Sequence, residues 1–238
     1  MSSNRERLIR HLVEKGYLKT PIIIETFKKI DRKDFVLPEY EDLAYLDEAM
    51  PIGYGQTISQ PLTVAFMLEL LCGSPDANGR GPDTCVGKKI LDVGSGSGWT
   101  TALLAYIAGE QSRGQRSRIT DQRFGMVFGV EKIPELVEFG KRNIAKYKFK
   151  NAEILPAGQE FGLPEEAPLA LSSVEGFDKI LVSAAAEELP QELVNQLKIG
   201  GRLVIPILNS VWKIDKTSKK EIKKEEYFGF SFVPLVSS

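Results

Sequence analysis

The stretch ILDVGSGSGWTTALLA, residues 90–105, narrows the choice of fold more than any other part of this 238-residue chain. A short apolar run reaches Asp92 and Val93, glycines follow at 94, 96 and 98, and an apolar helical pattern begins at once. Glycine lets the backbone turn tightly and approach a ligand with no Cβ in the way. The first turn of the following helix offers free N–H groups. Open α/β sheets bind their ligands at the carboxyl ends of strands, where this turn would lie. The spacing is G-x-G-x-G rather than the G-x-G-x-x-G of dinucleotide enzymes, which disfavours a nicotinamide oxidoreductase.

The same rhythm continues downstream. MVFGVE, AEILPA, FDKILVSAA and GRLVIPIL read as buried strands, and PELVEFGKRNIAKY and PQELVNQLK as helices between them. Such alternation predicts a mostly parallel sheet covered on both faces. Glu131 ends the second of these strands, where an acidic side chain in this architecture receives two ribose hydroxyls. The lysine-rich segment before EEYFGFSFVPL predicts a solvated turn and a closing antiparallel strand. Three stretches, 73–89, 109–125 and 165–176, read as inserted surface loops.

The first third is different. Leu8, Ile9, Leu12 and Val13 recur at helical spacing and Gly16 stops that helix. Thr20-Pro21 opens a second helix and Pro61 a third, which runs to about Leu71. Before the third helix stand Gln56, Thr57, Ser59 and Gln60, more small polar side chains than a helix entrance needs. Ser59 can cap the helix, or the cluster can be the lip of an active site.

A net charge of -1 excludes a general affinity for nucleic acid or anionic membrane. No run approaches the ~20 apolar residues of a membrane span, and the N-terminus lacks the apolar core of a secretory signal. Cytoplasmic residence is expected. Cys72 and Cys85 have no metal-type spacing and read as reduced thiols, so no metal site is expected. The single histidine, His11, falls on the first helix and reads as a packing or surface residue.

Taken together, IDRKDFVLPEY with AYLDEAMPIGYGQTISQP, LDVGSGSGWTTALLA, FGVEKIPELVEFGKRNI, the FDKILVSAA to GRLVIPI region and FVPL resemble the protein-L-isoaspartate O-methyltransferases over nearly the full chain. The resemblance implies a Rossmann-like doubly wound sheet (73–238) integrated with a helical N-terminal extension (1–72) that forms the substrate side. It implies S-adenosylmethionine as cofactor, held by Asp92, Gly94, Ser95, Gly96, Gly98, Glu131, Gly158 and Gln159. It assigns Ser59 the active-site role, with Gln56 and Thr57 beside it, and isoaspartyl proteins and peptides as substrates of a monomer. At Ala157-Gly158-Gln159 the family carries Gly-Asp-Gly, whose acid lies by the adenine. Gln159 or Glu160 is the available substitute. A methyltransferase for RNA or a small molecule, and a non-catalytic descendant, are the alternatives.

Overall fold

The N-terminal third is mostly helical, as its apolar spacing predicts, but it also holds a two-stranded antiparallel pair, Met50–Gly53 with Gln56–Ile58, that the spacing does not predict. The computed structural model describes residues 3–73, 84–109, 125–158, 161–163 and 176–235. The interiors of the three inserts, and Gln159 and Glu160, lie outside the described residues. Helix α1 (Asn4–Glu14) buries Leu8, Ile9 and Leu12 and is opened by a Ser3/Glu6 capping box; Val13 points outward. Helix α2 (Pro21–Lys29) starts after Thr20, whose hydroxyl does not cap it but donates to Glu69 Oε2 at 2.7 Å. Two short 3-10 turns, Arg32–Phe35 and Pro38–Leu43, lead into strands β1 (Met50–Gly53) and β2 (Gln56–Ile58), then helix α3 (Pro61–Cys72).

From residue 89 the alternation is as expected. Strand β3 (Lys89–Val93) is followed by α4 (Trp99–Ala108), β4 (Met126–Glu131), α5 (Pro134–Ala145), β5 (Ala152–Pro156) and β6 (Phe177–Val182). Helix α6 (Gln191–Gln196) then precedes β7 (Leu197–Ile207), β8 (Ser210–Lys216) and β9 (Ile222–Phe228). The sheet order is β5-β4-β3-β6-β7-β8-β9, with the first five strands parallel. Residues 89–93 and 126–130 pair directly. Strand β3 is flanked by β4 on one side and β6 on the other, so its carboxyl end is the point where the winding reverses, the place open α/β sheets use for ligands.

Period-two alternation splits the core between the two sheet faces. Ile90 and Val127 join one cluster with α3, α4 and the N-terminal helices, while Leu91, Val93 and Phe128 join the other. Every residue of α4 is buried. Its Trp99 meets Phe27 of α2 edge to face, so the extension and the sheet share one apolar core.

Two expectations are corrected. The antiparallel edge is made by β8 and β9 together, and FVPL is not that edge strand. Its Pro234 forms a parallel bridge with Ala185, because Val233 and Leu235 exchange backbone hydrogen bonds with Ala185. The cysteines are also not free thiols: Cys72 and Cys85 form a disulfide with Cα atoms 4.9 Å apart. The end of α3 and the approach to β3 meet in the apolar core, bringing together residues that their sequence spacing leaves unrelated.

Candidate active site

The segment before α3 is a hairpin rather than a plain turn. Strands β1 and β2 pair antiparallel around Tyr54-Gly55, both at positive φ (54° and 71°), the signature of a type I′ turn. Gln56 and Thr57 lie on β2 and Ser59 just beyond it. The possibility that Ser59 caps α3 does not hold. The N-cap position belongs to Gln60, and the Leu62 amide instead donates to Asp47 Oδ1 at 2.8 Å. Gln60 Nε2 donates to the Asp47 carbonyl at 2.9 Å, completing a cap supplied from upstream. Among the described residues the Ser59 hydroxyl has no hydrogen-bond partner, and Ser59 lines a large cavity.

That cavity, about 810 Å³, lies at the carboxyl ends of β3, β4 and β6. Gln56, Thr57 and Ser59 face it from one side and Gly94, Ser95 and Gly96 from the glycine loop. The loop hangs from β4 through Gly94 and Ser95 amides that both donate to the Val130 carbonyl. Gly94 has φ +75° with no atom within 4 Å of where a Cβ would stand. Gly98, at φ +84°, starts α4 where a Cβ would meet Gly140 O and two isoleucine side chains at about 3 Å. Gly98 therefore serves the close packing of loop on α5 and does not itself border the cavity.

Glu131 is at the end of β4 with its side chain at the cavity wall. Oε2 accepts from the Gly96 amide at 2.9 Å, and Oε1 from the Lys132 and Ile133 amides at 2.8 and 3.0 Å. Asp92 has a different place. It is completely buried beneath the loop, and its Oδ2 accepts from Thr100 and Thr101 hydroxyls at 2.7 and 2.6 Å. Burial pushes its carboxyl up to about 6, against the opposing pull of the two threonines. Asp92 braces the start of α4 and is not part of the cavity wall. Gly158 is part of the wall; Gln159 lies outside the described residues.

The walls fit a polar cofactor. Ser95 Oγ and Trp99 Nε1 are buried at the cavity with no partner among the described residues. Leaving such groups unpaired costs about 1–3 kcal/mol each, so a ligand with complementary polar atoms belongs there. Sequence reasoning missed Ser183, Lys132, Glu192 and the tail residues Val233, Pro234 and Leu235, all of which border the cavity. All of them fall in stretches that carry the family resemblance, yet the sequence singles none of them out, and the FVPL tail reads there as part of a closing strand. Among the described residues no cluster of metal-binding side chains occurs, and no helix is long and apolar enough to cross a membrane.

A parallel sheet with its glycine loop at the winding reversal, and an acid one strand over, defines a Rossmann-like nucleotide-cofactor site. The comparisons narrow this. The family model for protein-L-isoaspartate(D-aspartate) O-methyltransferase matches residues 3–238. A protein-L-isoaspartate O-methyltransferase from Methanopyrus kandleri is 36% identical over 98% of this chain and 91% of its own. One from Pyrococcus abyssi is 36% identical over 97% and 94%. A provisionally assigned enzyme of this kind from Plasmodium falciparum, solved with S-adenosyl-L-homocysteine, superposes with a TM-score of 0.76 at 25% identity, covering both chains in full. The chain belongs to the protein-L-isoaspartate (D-aspartate) O-methyltransferase family.

Proposed function

We propose that the Gln56–Ser59 lip holds the free α-carboxylate of an L-isoaspartyl residue against the glycine loop, with Ser59 donating the principal hydrogen bond. The observation that carries this reading is the Ser59 hydroxyl, unpartnered at the cavity while Asp47 does the capping. An isoaspartyl residue continues the peptide through its side chain, so its α-carboxylate is free and ionised near neutral pH. No general base is required, which accords with His11 lying on α1, outside this cavity. The cofactor, when bound, supplies a methyl group already activated on a sulfonium sulfur. What the chain supplies is alignment and exclusion of water. Glu131 would accept from the ribose hydroxyls, Gly94, Ser95 and Gly96 would border the amino-acid end, and Gln56 and Thr57 would lie between cofactor and peptide backbone. Ala157 and Gly158 would flank the adenine.

We further propose that the 1–72 extension forms the substrate side and that the chain acts as a cytoplasmic monomer on damaged proteins and peptides, not on nucleic acid. Sedimentation velocity tests the monomer. The activity is tested by offering labelled S-adenosylmethionine with matched isoaspartyl and aspartyl peptides. Base-labile methyl ester is expected on the isoaspartyl peptide alone; equal labelling of both, or of neither, overturns the reading.

A further inference from the structure

We infer that Arg32 is a positioning residue for methyl transfer, a buried guanidinium that sets the Ser59 lip against the glycine loop; this rests on the reading of Ser59 above. Arg32 is 2% exposed, yet its nearest partners are not carboxylates. Nη1 donates to the Ala44 carbonyl at 2.8 Å and the Leu46 carbonyl at 3.4 Å. Nη2 donates to the Glu48 carbonyl at 2.8 Å and to the Ser59 carbonyl at 3.1 Å. The guanidinium centre lies 5.2 Å from the centroid of Trp99, the first residue after the glycine loop. One side chain thus touches the backbone of the lip and the aromatic wall of the cofactor side.

Burying a charge is expensive unless it is richly hydrogen-bonded. Burial lowers the Arg32 pKa to about 10, with Asp47 opposing the fall, so the group stays charged at neutral pH. The segment whose carbonyls it binds also carries Asp47, which caps α3 from residue 62. Arg32 therefore closes a ring of contacts: the 44–48 turn, Ser59, and Trp99. A lysine keeps the charge but has neither the planar fork nor the flat face that stacks on an aromatic. The reaction demands oxygen, methyl and sulfur in line, and a displacement of about 1 Å can cost 10²-fold.

The test is a double-mutant cycle of Arg32→Lys and Ser59→Ala. It measures kcat and KM for an isoaspartyl peptide, the Kd for S-adenosylhomocysteine by calorimetry, and folding by circular dichroism. Arg32→Lys is expected to lower kcat/KM about tenfold or more with Kd changed by less than about threefold. Ser59→Ala should then cost no more than about threefold in the Arg32→Lys background, since groups acting through one another are non-additive. Additive losses, or full activity per folded molecule, overturn the inference. If Arg32→Lys does not fold, the cycle is run with Asp47→Asn. That change leaves an acceptor for the Leu62 amide and removes the charge facing the guanidinium; non-additivity is expected again and additivity refutes. Unchanged turnover in Ser59→Ala alone sinks the Ser59 reading and this inference with it, whereas an impaired Ser59→Ala with an additive cycle sinks only this one.

Discussion

Glu131→Gln is the sharpest single probe of the cofactor side, because it changes one atom and removes a charge. In the protein the carboxylate already accepts three backbone amides, from Gly96, Lys132 and Ile133. A carboxylate has about four lone-pair sites, so about one remains for ribose, and binding two hydroxyls requires one amide bond to loosen. In the glutamine variant the carbonyl oxygen can keep the Lys132 and Ile133 amides. Its NH2 then faces the Gly96 N–H, donor against donor, and no acceptor is left on that side. A hydrogen bond to a charged group contributes about 1.5–3 kcal/mol, so S-adenosylhomocysteine should bind roughly 10- to 150-fold more weakly. Isothermal calorimetry gives the Kd, and a urea melt of the same sample reports the separate effect of losing the Gly96 contact, about 1–3 kcal/mol. A Kd within twofold of wild type in a folded variant would remove the carboxylate from the ribose site.

Three further outcomes are expected. Reducing Cys72–Cys85, which closes a loop of sequence separation 13, should lower the unfolding free energy by about 3 kcal/mol; urea melts with and without reductant check this, and superposable curves refute it. Asp92 has a folded pKa of about 6 against 3.8, so the folded state binds the extra proton: its contribution is full below about pH 4 and lost as pH rises through 6. Stability should therefore fall by about 3 kcal/mol across that window from this group, a slope that Asp92→Asn should flatten in denaturation measured at several pH values. Asp47→Ala should cost about 1 kcal/mol as a lost helix cap, while Ser59→Ala stays within about 0.5 kcal/mol; the reverse order in chemical denaturation would restore Ser59 as the cap.

What was legible in the sequence was whatever local chemistry dictates. Glycines at 94, 96 and 98 between an apolar run and a helical pattern can form little else than a strand–turn–helix unit, and Glu131 at a strand end follows from the same periodicity. Asp92 stood in the same motif, yet a motif does not say whether a carboxylate points up to a ligand or down onto Thr100 and Thr101. The rest was set by distance in space. Asp47 caps a helix 15 residues away, a pairing that no local cap pattern contains. Cys72 and Cys85 meet only because α3 and β3 pack in one core. The tail at 233–235 looks like a strand and is spent on Ala185 and the cavity wall.

That tail has a consequence for the newly made chain. Gln56 and Thr57 form one wall of the cavity and Val233 to Leu235 another, so the two sides are synthesised about three-quarters of a chain apart. Domains fold as they emerge, and the glycine loop, both of its neighbouring strands and the lip can all be in place while the tail is still inside the ribosome. The cavity is then missing a side and stays open to water. Completion of the cavity therefore waits for residues 233–235 rather than for the appearance of the glycine motif.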